Sequence, residues 1–472
     1  MNKTLYGQIS AKIAEQIENE VYLPGDKLPS IRKACQQFKV SVSTIQQAYS
    51  QLENLYLAEA RPQSGYYVLS QNENLTEEPE MTDTGTPIPV SVNDGIFQVI
   101  KETENFKYNF GAAYPHSDFL PVAQLQKTIR KISRHHLKDL LTTGSSIDVN
   151  LLLRRQLAQR MTYAGCQLSA NDIVTTSGCK DALSLCLNAV AKKGDVIAIE
   201  SPAFPGILQA IEALEMNALE IPTHPKEGIS IDALKLALEQ WPIRACALIP
   251  TFNNPLGSSM PEDNRKELVE LLKIREIPLI EDDLFGDLGT YGQRANALKS
   301  YDRDGLVLYC SSVSKSLGPG LKVGWISPGR YLKKIQKLKF LNSVTESTLS
   351  QMIVAEYFAT GNYDKHIRRI RNIYAQNRKL MAACIADHFP KGTTISNPSG
   401  GYMLWVGLPA EINTWKLYNL AIKDKISFLP GILFSPTGKY NNFLRLNAAV
   451  PWSSETENAL IKLAKHSLKA ID

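Results

Sequence analysis

Apolar residues return at every fourth position through Leu5, Ile9, Ile13 and Ile17, a spacing that puts them on one face of a first helix. Tyr22-Leu23-Pro24-Gly25-Asp26 ends it. A second short helix is predicted from near Ser30, its N-cap, with Ile31, Ala34, Cys35 and Phe38 turned inward. In a third, capped by Ser43, the residues Ile45, Ala48, Tyr49 and Leu52 follow the i, i+3, i+4, i+7 order of a buried face. Its outer face shows Thr44, Gln46, Gln47, Ser50 and Gln51, which offer hydrogen bonds and almost no charge. Leu57 to Val68 reads as two short strands joined through Arg61-Pro62-Gln63-Ser64-Gly65.

Further along, the period changes. Ile173 to Thr175, Val196 to Ile199, Cys246 to Ile249, Pro278 to Ile280 and Leu306 to Tyr309 are short apolar runs. Amphipathic stretches such as 182–191 and 265–274 separate them, which predicts a mostly parallel α/β sheet with helices on both faces. Between the two patterns, residues 71–95 form an acidic, proline-broken segment with no lysine or arginine from Gln71 to Asn93. Such a composition buries too little apolar surface to fold alone and reads as a flexible linker. The predicted domains are therefore 1–70, the linker 71–95, and 96–472, the last divided into a large subdomain (about 120–327) and a smaller C-terminal α+β subdomain (about 328–472).

Composition adds limits. The 472 residues are 21% charged and 44% hydrophobic with a net charge of +5, and no apolar run reaches the roughly 20 residues that a membrane span needs. Seven scattered cysteines without a Cys-x-x-Cys pair suggest reduced thiols in a cytoplasmic protein and no metal site. Residues 1–69 hold seven Lys/Arg against six Asp/Glu, so charge alone does not distinguish a DNA-binding unit from an adaptor.

Ligands of such sheets sit at the carboxyl ends of the strands. There the chain places Ser177-Gly178-Cys179 at a helix start, Phe204, Asn254, Asp282-Asp283-Leu284-Phe285 and Ser312-Val313-Ser314-Lys315. Together they offer an anion cradle, a ring to stack, a donor to a phenolate, a carboxylate for a pyridine nitrogen and an amine for a Schiff base. That inventory fits pyridoxal 5'-phosphate (PLP). Ser312-x-x-Lys315 also fits an acyl-transfer motif, but no Ser-Asp-Asn or Lys-Thr-Gly partner follows.

Two resemblances sharpen these readings. Pro24-Gly25-Asp26-Lys27-Leu28-Pro29-Ser30-Ile31-Arg32, Val40-Ser41-Val42-Ser43-Thr44-Ile45 and Ser64-Gly65-Tyr66-Tyr67-Val68 resemble the winged helix-turn-helix of GntR-type regulators. The resemblance implies that Ser30, Arg32, Ser43, Thr44, Gln47, Arg61 and Gly65 contact a double-stranded DNA operator. Val42 departs from it, because the family often has arginine there. From about residue 105, Asn254-Pro255-x-Gly257, the Asp282 region and Ser312-x-x-Lys315 resemble the fold-type I PLP-dependent aminotransferases.

By that second resemblance Lys315 is the catalytic, cofactor-bearing lysine, Asp282 pairs with the pyridine nitrogen and Asn254 with the ring hydroxyl. Ser312 and Lys322 join Gly178 and Cys179 around the phosphate and Arg445 takes a substrate α-carboxylate, while the strand-end reading adds the Ser177 hydroxyl to the cradle and the Phe204 ring to the stack. Phe285 stands where a tyrosine is usual and Lys322 where an arginine is usual; Leu141-Thr142-Thr143-Gly144 lacks the tyrosine that reaches a partner's phosphate. These losses weaken tuning of the cofactor more than its capture. The whole chain resembles the MocR subgroup, which implies a homodimeric transcriptional regulator that senses an amino compound or PLP itself. The alternatives are an active PLP-dependent aminotransferase with an accessory DNA-binding domain, and a DNA-binding protein with an empty vestigial domain.

Overall fold

The computed structural model describes residues 5–19, 21–23, 25–54, 57–61, 64–68, 77–103, 106–142, 151–290 and 294–471. The chain divides into two compact units, residues 1–75 and 76–472.

In the first unit, α1 (Leu5–Glu18), α2 (Ile31–Phe38) and α3 (Val42–Asn54) precede β1 (Ala58–Arg61) and β2 (Gly65–Val68), which pair antiparallel with Ala58 opposite Val68 and Arg61 opposite Gly65. The fourfold apolar spacing does what the pattern predicts: Ile9, Ile13 and Ile17 meet Ile45, Ala48, Tyr49 and Leu52 in one core, whereas Leu5 is exposed. Truncating one of its large aliphatic residues costs about 2 to 5 kcal/mol. Tyr49 reaches out of that core to donate a 2.6 Å hydrogen bond to the Pro29 carbonyl, tying α3 to the start of α2. Ser30 caps α2 by accepting from the Lys33 amide at 3.3 Å. The expected cap of α3 needs correction. Ser41, not Ser43, accepts from the Thr44 amide at 3.3 Å, because α3 begins at Val42, two residues earlier than a Ser43 cap implies.

The second unit opens with a further correction. Residues 77–95 do not behave as a free tether. The Glu77 carbonyl accepts from the Ile395 amide, Lys226 pairs with Glu78 at 3.1 Å, and β3 (Ile88–Pro89) adds an edge strand to the main sheet. Val90 and Val92 are buried, and α4 (Asn93–Thr103) follows. Composition missed this because the segment borrows apolar and hydrogen-bonding surface from elements far along the chain.

The main sheet contains β4 (Val174–Thr176), β5 (Val196–Ser201), β6 (Asn217–His224), β7 (Ile243–Leu248), β8 (Leu279–Asp282), β9 (Val307–Ser312) and β10 (Gly324–Ser327). Their order is β3-β6-β5-β7-β8-β9-β10-β4. Strands β6 through β9 in that order run parallel, and β10 lies antiparallel between β9 and β4. Alternation along β5 explains the double covering. Ile197 and Ile199 face a core shared with α5 (Cys179–Val190) and α6 (Pro205–Ala213), while Val196 and Ala198 face another shared with α7 (Glu262–Ile274). Both faces being apolar, β5, β7 and β9 read as runs rather than alternations.

A 27-residue helix, α8 (Asn362–His388), leads into a smaller antiparallel sheet. There β11 (Met403–Gly407) and β12 (Phe443–Asn447) pair between Thr394–Ile395 and Leu429–Pro430, covered by α9 (Ser454–Ser467). No described helix is long and apolar enough to cross a membrane.

Candidate functional site

Strand β9 ends at Ser312, whose hydroxyl accepts from the Ser314 amide at 3.3 Å and starts the single turn Val313–Lys315. That turn folds Lys315 inward: the side chain is buried, its Nζ donates to the Ala113 carbonyl at 2.7 Å and stands 3.9 Å over the Tyr114 ring. Burial, then the positive Arg445, pushes its pKa down to about 7, with Asp282 pulling the other way. An amine so placed is about half in its neutral, nucleophilic form near pH 7.

Asp282 ends the neighbouring strand β8, in register with Cys310 of β9, and is 1% exposed. Burial lifts its carboxyl pKa to about 7. One oxygen, Oδ1, accepts from the Cys179 thiol at 3.4 Å; the other, Oδ2, is buried without a protein partner. An unpaired buried carboxylate oxygen is costly and calls for a donor from outside the chain. A protonated pyridine nitrogen is such a donor.

Arg445 lies on β12, 2% exposed, so it is no surface arginine. It donates to the Asn254 side-chain oxygen at 3.3 Å and to the Gly111 carbonyl, while its Nε has no partner. Burial lowers its pKa to about 10, still fully cationic at neutral pH. The guanidinium and Asn254 are therefore held together, with donor capacity to spare for a carboxylate. Phe285 is buried and packs edge-on to Tyr402 at 5.4 Å, and the Tyr402 hydroxyl donates to the same Ala113 carbonyl that Lys315 uses.

The anion cradle is built differently from the expectation. Gly178, with φ of +137°, precedes α5, and space beside its Cα is open. Gly324 must be glycine, since a Cβ there would fall 2.7 Å from Gly178. The Ser177 amide and hydroxyl both donate to Asp181, at 3.0 and 3.1 Å, and so are engaged within the chain. The side chain of Cys179 turns to Asp282 instead of the cradle, leaving only its backbone on the helix start. Lys322 is exposed, in a left-handed turn after Pro319–Leu321. Phe204 precedes α6 and folds its half-buried ring over Gly206.

Sequence reasoning missed Gly111, Ala113, Tyr114 and Tyr402. They reach the site from outside the strand ends searched, so position in the chain gave no signal. Also unforeseen is a partly buried ionic cluster beyond Asp282. Arg294 contacts Asp283 and Asp287, Arg160 contacts Asp287 at 3.3 Å, and the Tyr363 hydroxyl donates to Asp287 at 2.8 Å. Among the described residues no group of three or more His, Cys, Asp or Glu could hold a metal ion.

On the first unit, Ser30, Arg32, Ser43 and Gln47 are exposed, and Thr44 and Gly65 are half-buried. Val42 is exposed in the first turn of α3. The Arg61 backbone ends β1, but its side chain lies outside the described residues, as do Pro62, Gln63, Thr143 and Gly144. Gly65 has φ of +114°, and a Cβ there would lie 3.2 Å from Lys27.

A helix-turn-helix with a β-ribbon wing and a fold-type I aminotransferase-like unit, its lysine and aspartate at adjacent strand ends, define the class. Residues 5–68 match the gntR family of bacterial regulatory proteins, and residues 113–463 match aminotransferase class I and II. The chain is 36% identical over 470 residues to the uncharacterized HTH-type transcriptional regulator YjiR of Escherichia coli strain K12, covering 99% of this chain and 100% of that one. It is 34% identical to YdcR of the same organism, covering 98% of each. Among solved structures it is similar to LysN, an α-aminoadipate aminotransferase from Thermus thermophilus complexed with N-(5'-phosphopyridoxyl)-L-leucine, with a TM-score of 0.73 and 25% identity over 79% of this chain and 94% of that one. The chain belongs to the HTH-type transcriptional regulators that join a gntR-family domain to an aminotransferase class I and II domain.

Proposed function

We propose that this regulator binds PLP at Lys315 and changes its hold on an operator when an amino compound, or PLP itself, occupies that site. The observation that carries the reading is the pairing of a buried amine with a pKa near 7 and a buried carboxylate whose Oδ2 has no partner. Bound PLP supplies an aldehyde that condenses with amines and a ring that draws electrons from the joined carbon. Asp282 holds a proton on the ring nitrogen. Asn254 donates its amide N–H to the ring hydroxyl, and Arg445 receives the carboxylate of an amino-acid effector. Gly178 and the amides opening α5, with Ser312 and Lys322, form the phosphate side, and Phe204 with Phe285 covers the ring.

On the DNA side, Ser43, Thr44 and Gln47 of α3 enter the major groove, with Ser30, Arg32, Arg61 and Gly65 along the backbone. The protein works as a cytoplasmic homodimer whose two states hold the DNA-binding units differently, and the effector selects between them. Phe285 and Lys322 at positions that usually tune the cofactor favour sensing over turnover.

The test is an absorbance titration of purified protein with PLP and then with amino acids, with and without promoter DNA. Visible absorbance lost in Lys315→Ala, and a shift on adding an amino compound that also changes DNA affinity, support the reading. Sustained keto-acid product from α-amino acids at ordinary enzymatic rates overturns it in favour of an aminotransferase. Absence of any chromophore leaves a vestigial domain.

A further inference from the structure

Cys179 occupies the first position of α5, where its amide belongs to the helix start and its side chain is free to point elsewhere. It points into the sheet. The thiol is 5% exposed and donates to Asp282 Oδ1 at 3.4 Å. The two atoms of that carboxylate thus differ: Oδ1 has a protein donor, and Oδ2, equally buried, has none. A carboxylate on two rotatable bonds has no intrinsic reason to present one oxygen outward. A donor fixed by a helix terminus gives it one.

We propose that Cys179 is a positioning residue for Asp282, its thiol anchoring Oδ1 so that Oδ2 faces the pyridine nitrogen of bound PLP. This rests on the PLP reading above, but the anchoring bond is a property of the chain alone. The partition is economical in residues, since one position at the helix start serves the phosphate through its amide and the far end of the ring through its side chain. Lys315 attracts the Asp282 carboxylate, and Asp283, Glu200 and the Cys310 thiol also face it electrostatically. The Leu284 backbone also favours its charged form. These groups are untouched by substitution at position 179, so a change there isolates the thiol. A hydrogen bond to the charged form favours that form, and its loss raises the carboxyl pKa.

The experiment has an arm without cofactor and an arm with it. In PLP-free protein, infrared difference spectra against Asp282→Asn isolate the Asp282 carboxyl band, and its midpoint is read from pH 4 to 9. Cys179→Ala is expected to raise that midpoint by roughly half a unit to one unit, the scale of a single weak donor, and Cys179→Ser, which keeps a hydroxyl donor, to restore it. The S–H stretch missing from Cys179→Ala is expected at a lower wavenumber than that of a free thiol. In the second arm, PLP affinity followed by absorbance is expected to fall about tenfold in Cys179→Ala, matching a unit of midpoint, and to recover in Cys179→Ser.

An unchanged midpoint in folded Cys179→Ala overturns the anchoring bond. A raised midpoint with wild-type PLP affinity overturns the positioning role. Failure of the wild-type protein to bind PLP at all overturns the functional reading, and the first arm shows that separately from the fate of the bond.

Discussion

Two charged regions, one buried and one partly buried, lie back to back across the end of β8, and they are organised oppositely. On one side, Asp283 and Asp287 are matched by Arg294 and Arg160, with Tyr309 and Tyr363 donating hydroxyls at 2.8 Å. Burial pushes Asp287 up, but Arg294 and Arg160 outweigh it and hold its carboxyl well below the usual range. On the other side, Asp282 has a thiol for a partner and no cation in contact, Lys315 has a carbonyl, and Arg445 has a carbonyl and an amide oxygen. Burial there moves Asp282 up and Lys315 down toward the same pH. A compensated cluster is architecture, whereas an uncompensated one waits for a ligand. The sequence Glu281-Asp282-Asp283 does not distinguish the two, because the strand's alternation alone sends neighbours to different surroundings.

Removing one member from each region is the strongest way to break this contrast. Arg294→Met should lower unfolding free energy by about 3 to 5 kcal/mol, because Asp283 is left as a buried charge without its cation. A loss within about 1 kcal/mol in urea denaturation would show that the cluster is not held by its charges. Asp282→Asn should leave the PLP-free protein as stable as wild type or slightly more so at pH 8, while PLP affinity drops tenfold or more by absorbance titration, about 1.4 kcal/mol. Equal affinity would remove Asp282 from the ring nitrogen.

A third test uses pH. Asp282 rises from 3.8 to about 7 on folding, so the stability tied to its protonated form is present below pH 4 and is lost as pH climbs to 7. Lys315 falls from 10.5 to about 7, so the unfolded chain holds an extra proton between pH 7 and 10 and stability rises across that window. These two groups together give the PLP-free protein a stability minimum near pH 7. Thermal melts from pH 5 to 9 should show the dip flatten in Asp282→Asn combined with Lys315→Ala; a dip of unchanged depth assigns it elsewhere. The smallest effect contrasts two serines of the first unit. Ser41→Ala should cost about 1 kcal/mol through loss of the α3 cap, and Ser43→Ala less than about 0.5 kcal/mol, with the order of their effects on DNA affinity reversed in a gel-shift assay.

Much of the fold was legible because apolar period reports burial directly. Ile9, Ile13, Ile17 and the run Val196 to Ile199 needed no partner to be read. The strands Asn217–His224 and Gly324–Ser327 were not, since the first mixes polar residues into a buried strand and the second is short and glycine-led. At the site, Lys315, Asp282 and Asn254 follow strands that sequence could order. Ala113 and Tyr402 could not be placed, because what they contribute is a carbonyl and a ring brought from remote segments. The same holds for 77–92, whose acidic, proline-rich composition describes an isolated chain and not one lying along a ready-made edge.

Val42 carries a consequence for how the first unit meets a polyanion. It is exposed beside Ser41 and Ser43 and brings no charge to the first turn of α3. Each cation that pairs with a phosphate frees condensed counterions, and the logarithm of affinity then falls by about 0.9 per pairing for each unit of the logarithm of salt concentration. With valine at this position each such unit forgoes one such pairing. Its grip on an operator is correspondingly less sensitive to ionic strength and leans more on the uncharged face of α3.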